Sequence, residues 1–409
     1  MNKIDTLEEL TLNITDGKHG DCVDEENSGY FFVSSKDVFE GEIHLEEARQ
    51  ITEADYIDTH RRTRLEANDI LITNSGSIGR LCFLKPTNRT EGITFQKSVA
   101  VIKPNSKKVF PKYLYYNFSY NVALLIRRAV GSNQKNLLLS DLRELELNYH
   151  DDKTIQKKIA DILTAIDEKI FVNNRINSEL QALTTTIYNY WFVQFDFPNE
   201  ESKPYKASGG EMEYNEKLKM EIPVGWTDGK LSEVANITMG QSPDGDSYNE
   251  EGEGMVFFQG STDFNFRFPL VRMFTTAPSR IAQEEDVLLS VRAPVGTLNV
   301  ATEKCCIGRG LAALNSKDEA NSFVLYLMFY FKAMFDVQNR TGTTFGSIDK
   351  DTLYDLKFAK PPVELQKQFQ SIVGKYDKMI LTRSRETQEL ITLRDFLLPL
   401  LMNGQVKVK

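Results

Sequence analysis

The side chains best suited to chemistry in this sequence sit in two matched sets of polar loops. Thr73-Asn74-Ser75-Gly76-Ser77 with Arg80, and Ser132-Asn133-Gln134-Lys135, make up one set; Ser290-Val291-Arg292 and Arg340-Thr341-Gly342-Thr343-Thr344 make up the other. Arg, Lys, Asn and Gln carry paired hydrogen-bond donors and acceptors, which is what reading the edge of a nucleic-acid base requires. The same loops also fit plain surface turns, in which glycines bend the chain and polar groups face water. Machinery for covalent chemistry is missing from the sequence. It holds no Gly-x-x-x-x-Gly-Lys-Ser/Thr loop for ATP and no Asn/Asp-Pro-Pro-aromatic motif for amino-methylation of adenine, since Pro361-Pro362 follows Lys360 and leads into a helix. Pro243-Asp244 could open a nuclease motif, yet no Glu-x-Lys follows it within the domain, and Asp355-Leu-Lys357 lies far downstream. Asp244 to Glu253 reads instead as a solvated acidic loop. The four cysteines (Cys22, Cys82, Cys305, Cys306) form no CxxC pair and the four histidines are scattered, so buried free thiols are expected and neither a metal site nor a disulfide framework. No catalytic residue is assigned.

What positions these loops is a duplicated frame. Thr154 to Phe195 reads as one long amphipathic helix, with apolar residues mostly three or four apart. A shift of 210 residues lays Gln156-Lys157 on Gln366-Lys367, Asp167 on Asp377 and Glu179-Leu180 on Glu389-Leu390. The helix and its copy are expected to pair antiparallel through Ile159, Ile166, Ile170, Leu180 and Ile187 on one side and Phe369, Ile372, Tyr376, Ile380, Leu390 and Leu393 on the other. At ~1.5 Å per residue each would be a rod of roughly 60 Å, holding two globular domains apart. Flanking sequence repeats too. Asp69-Ile-Leu-Ile72 with Gly79 matches Asp286-Val-Leu-Leu289 with Gly296 at an offset of 217, and Gly131 with Ser140-Asp141-Leu142 matches Gly342 with Lys350-Asp351-Thr352-Leu353 at 211. A drift of seven residues over such a distance marks an internal duplication with loop insertions.

The 409 residues, 41% hydrophobic and 26% charged, suit an ordinary soluble protein of two or three domains. No run of 18 apolar residues exists and the N-terminus lacks a signal-peptide core, which points to a cytoplasmic protein without a membrane span. The net charge of -9 argues against coating nucleic acid non-specifically. Locally, though, Lys107, Lys108, Lys112, Arg127, Arg128, Lys135 and Arg143 face a single acid, Asp141, and make a positive stretch. Short strand-like runs (Tyr30–Val33, Asp69–Thr73, Ser98–Ile102, Met255–Phe258, Asp286–Val291) alternate with turns, and aromatic-rich helices are expected at Pro111–Arg128 and from Phe323. The fold class is therefore α+β. Its parts are a globular domain over 1–152, a long helix over 153–198, a polar linker over 199–221, a second domain over 222–361 and a second long helix over 362–409, which Pro399 should kink or end.

Over essentially its whole length the chain resembles the DNA-specificity subunits of type I restriction-modification systems. The matching pieces are Asp69-Ile-Leu-Ile with Gly76-Ser-Ile-Gly-Arg80, Gly131-Ser-Asn-Gln134, Trp191-Phe-Val-Gln-Phe-Asp-Phe-Pro198, Gly209-Gly-Glu-Met212, Ile222-Pro-Val-Gly-Trp226, Pro361-Pro-Val-Glu-Leu-Gln366 and Leu400-Leu-Met-Asn-Gly404. The resemblance implies two target-recognition domains in pseudo-twofold repeat, each reading one half of a bipartite site on double-stranded DNA. It implies two long antiparallel helices, forming a coiled coil, that set the spacer and bind two methyltransferase subunits. Catalysis would then belong to partners using S-adenosylmethionine, ATP and Mg, with restriction subunits in the full complex and no cofactor in this chain. Two departures stand out. The first domain lacks the Pro-x-Gly-Trp opening seen at Trp226, as if its N-terminal segment leaned on the end of the C-terminal helix, and Gly76-Ser-Ile-Gly79 becomes Ala293-Pro-Val-Gly296, as if the two domains read different sequences. A two-domain scaffold that binds protein and no DNA is the alternative reading, favoured by the negative net charge.

Overall fold

The computed structural model describes residues 2–128, 136–340, 347–406 and 408. Contacts divide the chain into two units, Met1–Phe171 with Gln388–Lys409, and Val172–Thr387. The division cuts both long helices, so each unit owns a segment of each.

Both units are built on the same four-stranded antiparallel sheet. Its order is Thr11–Asp16, Val99–Pro104, Ile70–Thr73, Leu81–Phe83 in the first unit, and Ala235–Met239, Leu311–Ser316, Val287–Ser290, Leu298–Val300 in the second. Side chains alternate between faces along a strand, and here both faces are covered. Ile70, Ile72, Ala100 and Ile102 join a core beneath the aromatic helix Pro111–Arg128, while Leu71, Val99 and Val101 join a second core with Val33 and Phe95. Val287, Leu289, Ala312 and Leu314 likewise separate from Leu288, Leu311 and Ala313. Two buried faces explain why these strands read as unbroken apolar runs. Each unit adds a second sheet around one parallel pair, three-stranded with Phe31–Val33 beside Ile93–Phe95 in the first and five-stranded with Met255–Phe258 beside Cys305–Ile307 in the second. The helix Glu53–Thr63, capped where the Thr52 side chain accepts from the Asp55 amide, belongs to the first unit.

The long helices span Lys153–Tyr188, continued by a π-helical turn over Asn189–Val193, and Val363–Met402. Asp152 caps the first by accepting from the Thr154 amide at 2.7 Å. Pro399 neither ends nor breaks the second. It lies within the last turn, where a missing N–H costs one hydrogen bond, and Leu401 and Met402 beyond it are anchored in the core. That core belongs to the first unit: Leu397, Leu398, Leu401 and Met402 pack with Leu7, Leu10, Ile159 and Leu163. The second unit mirrors the arrangement, with Leu365, Phe369 and Val373 from the start of one long helix packed against Tyr188, Trp191, Phe192 and Phe195 from the end of the other. The expected linker over 199–221 is itself ordered, containing a hairpin in which Met212–Asn215 pairs Met220–Pro223, with Tyr205 stacked on Phe197.

The seam between the helices departs from a purely apolar one. Ile159, Ile166, Phe369 and Ile380 are buried and Ile170, Leu180, Ile187, Tyr376 and Leu390 half-buried, but Ile372 (36% exposed) and Leu393 (44%) lie on outer faces. A helix turning 3.6 residues per repeat puts their neighbours Val373 and Arg394 on the inside. Through the middle most of the buried residues are polar, Asn173, Asn177, Thr184 and Thr387, with Ile380 among them. Asn173 donates to Glu386 at 2.8 Å and Asn177 to Ser384 at 3.1 Å, a descending partner order that makes the helices antiparallel.

Each unit also ties its aromatic helix to a long helix through a Tyr–Asp hydrogen bond at equivalent places. Tyr116 donates to Asp167 at 2.7 Å and Tyr326 to Asp377 at 2.9 Å. Arg394 completes the first pair at 3.1 Å, and Arg267, 2% exposed, completes the second. Among the described residues no helix is long and apolar enough to cross a membrane.

Two outcomes follow from this packing. Both tryptophans, Trp191 and Trp226, lie in the second unit's core, so intrinsic fluorescence reports that unit alone. Phe369→Ala is expected to cost about 3–5 kcal/mol in urea titrations followed this way, whereas Leu163→Ala in the first unit leaves the same transition in place; equal shifts would mean that the two units unfold together. The second outcome concerns Asp69, which accepts from the Glu66 amide at 2.8 Å and the Lys103 ammonium at 2.7 Å, yet is pushed up to about 6 by burial. The folded chain then holds this proton more tightly than the unfolded one, so the first unit should lose stability as pH rises from about 4 to about 6 and change little from this group beyond. Urea midpoints of peptides covering Ile70–Thr73, read by pulsed hydrogen exchange after equilibration at each pH, should show that slope in the parent and lose it in Asp69→Asn.

Candidate nucleic-acid interface

The strand Ile70–Thr73 runs into a turn that is fixed from within. The Thr73 hydroxyl donates to the Ser77 carbonyl and accepts from the Arg80 amide at 2.9 Å, while the Gly79 amide donates to the Thr73 carbonyl at 2.8 Å. Gly79 sits at φ +86°, a region glycine occupies without penalty. The second unit repeats the device. Ser290 donates to the Pro294 carbonyl and accepts from the Thr297 amide at 2.9 Å, Gly296 sits at φ +87°, and a cis Ala293–Pro294 peptide lies where Gly76-Ser77 stands in the first. One scaffold therefore carries two different sets of side chains.

The structure also brings the far-off second loop of each set to this turn. Ser75 forms an isolated bridge with Asn136 and Arg292 with Ser347, while the Leu137 amide donates to the Asn74 carbonyl at 2.8 Å and the Ile348 amide to the Val291 carbonyl at 2.9 Å. Ser132, Asn133, Gln134, Lys135, Thr341, Thr343 and Thr344 lie outside the described residues, as does the side chain of Arg340, which ends the helix Asn321–Arg340. Of the rest, Ser77, Arg80 and Arg292 are exposed and Ser75 half-buried. Arg80 makes a long 3.4 Å contact with the Val38 carbonyl. Asn74 is a correction. At 6% exposure it is a strand-end residue whose amide donates to the Ser98 carbonyl at 3.0 Å, and burial keeps its side chain from a solvent-side partner.

Among its described residues the positive stretch from Lys107 to Arg143 does not form one surface patch; the Arg128 side chain and Lys135 lie outside them. Lys108 is committed to the Glu9 carbonyl at 2.8 Å and Arg143 to the Ile14 carbonyl at 2.8 Å. Lys112 lies 4.3 Å from the ring centres of Phe83 and Tyr115, and burial pushes its ammonium down to about 8. Asp355, the distant carboxylate that a nuclease reading needs, is ion-paired with Lys230 at 2.6 Å.

Two residues missed from the sequence stand next to the turn. Lys97 and Arg309 occupy the same bend in the two units, between Ile93–Phe95 and Val99–Pro104 and between Cys305–Ile307 and Leu311–Ser316. Both are exposed. Backbone bonds dock this bend on the turn in the same way twice, Asn74 to Ser98 at 3.0 Å and Val291 to Gly310 at 2.9 Å. The run Gly308-Arg309-Gly310, an arginine between two glycines, was the signal available in the sequence.

Residues 18–182 and 223–392 match the model of the family described as type I restriction modification DNA specificity domain. A protein of Methanocaldococcus jannaschii named as the MjaX type I restriction enzyme specificity subunit is 32% identical over 361 residues, covering 85% of this chain and 80% of its own. The HindI specificity subunit of Haemophilus influenzae is 22% identical over 392 residues, covering 80% and 84%. In fold, the crystal structure of a type I restriction-modification S subunit from M. genitalium aligns with a TM-score of 0.59 at 17% identity, covering 98% of this chain and 96% of that one. Two matched specificity domains on one duplicated frame, and a relative 32% identical over 361 residues, place this chain in the family of type I restriction-modification DNA specificity subunits.

Proposed function

We propose that each recognition domain reads one half of a bipartite DNA site while the two long helices set the spacer and dock two methyltransferase subunits. The observation that carries this reading is the turn built twice on the same sheet with different side chains. A fixed mount with interchangeable readers is what two unlike half-sites demand, because bases are distinguished by a few donors and acceptors at set positions. The chain would act in the cytoplasm as the non-catalytic member of its complex. Adenine methylation by partners using S-adenosylmethionine, and ATP- and Mg-dependent cleavage where restriction subunits join, would take place at the site it selects.

Docking is supported by the outer faces of the helices. Ile162 and Leu183 on the first, and Met379, Leu393 and Phe396 on the second, expose apolar side chains, Phe396 to 64%. Exposed apolar positions recurring along a helix suit a protein partner.

Methylome sequencing of a host expressing the chain with its cognate methyltransferase should reveal one bipartite, asymmetric motif with a fixed spacer. A methylome without such a motif, or a complex whose affinity for the site is indifferent to salt, would favour the protein-binding scaffold instead, since neutralising phosphates releases counterions. Phe396→Glu is expected to weaken methyltransferase co-purification at least tenfold, about 1.4 kcal/mol, without moving the tryptophan-detected unfolding transition.

A further inference from the structure

We infer that Arg309 reads a guanine in the half-site bound by the second recognition domain, through a forked contact that Lys97 does not supply at the matching place in the first. The inference rests on the half-site reading above and adds a residue and a base to it. Its starting point is which arginines of the second domain already have work to do in the fold. Arg267 is buried against Asp377, and Arg272 is paired with Asp263. Arg280, Arg292 and Arg309 are exposed and have no carboxylate partner among the described residues. A guanidinium without an anion contributes little to folding, so what distinguishes these three is how firmly each is mounted.

Arg309 has the most constrained mount. Three passages of backbone meet beneath it: Gly240 to Ser242, Phe258 to Gly260, and Ile307 to Gly310. The Gly308 amide donates to the Phe258 carbonyl at 2.8 Å, the Gly310 amide to Gln259 at 3.2 Å and the Gln241 amide to Ile307 at 3.0 Å, while the Arg309 amide donates to the Ser242 hydroxyl at 3.2 Å. The approach leaves no room for side chains. A Cβ on Gly308 would lie 2.9 Å from the Gln259 Cα, one on Gly310 2.8 Å from the Gln259 carbonyl oxygen, and one on Gly240 2.2 Å from the Gly308 carbonyl oxygen. Arg309 is thus projected from this crowded corner between two glycines that can carry no side chain, with exposed Gln241 and Gln259 beside it.

A planar guanidinium on a rigid mount matches the O6 and N7 acceptors of guanine in bidentate fashion, the commonest specific contact in the major groove. Pre-ordering the backbone lowers the ordering cost of binding and sharpens the geometry that discrimination requires. In the first domain Gln96-Lys97-Ser98 replaces Gly308-Arg309-Gly310. A lysine is a point charge on a flexible stem and lacks the planar fork, so it meets the same acceptors with less geometric discrimination. Lys18, its neighbour across the bend, is already paired with Asp55 at 2.7 Å. The two domains therefore offer unlike chemistry at the same place in the fold.

The test uses the full chain co-purified with its methyltransferase and a library of randomised DNA duplexes, with selection repeated for R309K and R309A. The parent complex is expected to enrich a bipartite sequence with guanine at one position of one half-site. R309A should relax that position alone, by roughly 5- to 150-fold in preference, and R309K should relax it as well while keeping the salt dependence of the parent. The other half-site stays unchanged in both, and unaltered tryptophan-detected unfolding confirms that the variants are folded. Equal weakening across all sequences would make Arg309 a phosphate contact and overturn the inference, as would unchanged selectivity. A parent complex that enriches no bipartite sequence would overturn the half-site reading first, and the inference with it.

Discussion

The hydrogen bond from a tyrosine of the aromatic helix to an aspartate of the long helix is the joint on which each unit depends. Tyr116 with Asp167 and Tyr326 with Asp377 occupy matching positions, and each carboxylate sits in a partly apolar setting where an unpaired charge would be costly. What neutralises the charge differs. In the first unit it is Arg394, from the end of the other long helix; in the second it is Arg267, from a loop of the recognition domain itself. The joint therefore survives exchange of the cation's source, which lets the loops of a recognition domain diverge without loosening its seat on the helix.

The helix pair is specified by polarity as much as by apolar packing. Asn173 and Asn177 are almost wholly buried in its middle and reach Glu386 and Ser384. Buried amides stabilise a pair less than leucines would, but their side-chain N–H groups find these partners in one alignment only, since a slide by one turn would take the partners away. Apolar residues at the two ends supply adhesion, and the asparagines supply register. For helices proposed to set a distance along DNA, register matters more than surplus adhesion.

How much of this the sequence revealed depends on how local each signal is. The duplicated strands, the aromatic helices and both long helices were legible, because periodicity and a repeated order of residues report directly on burial. The polar middle of the seam was not, since a buried asparagine and a solvated one look alike in a sequence and apolar spacing led instead to Ile372 and Leu393. At the interface, the turn after Thr73 and its copy after Ser290 stood out through their glycines and neighbours. Lys97 and Arg309 did not, because strand pairing, a non-local event, carries them to the turn. Asn74 is buried for the complementary reason: its neighbours are loop-like, but its amide, just past the strand, is bonded to the Ser98 carbonyl.

The closing of the first core by Leu401 and Met402 bears on the order in which the protein is made. A ribosome releases Leu7 and Leu10 some four hundred residues before the side chains that cover them. Throughout that interval the first domain exposes an apolar groove, while the second, whose partners all lie between Tyr188 and Val373, can consolidate earlier. The domain synthesised first is thus completed last. A nascent chain from which Val373 but not Leu401 has emerged would hold a finished second core and an unfinished first one, a state in which exposed apolar surface invites chaperones or aggregation.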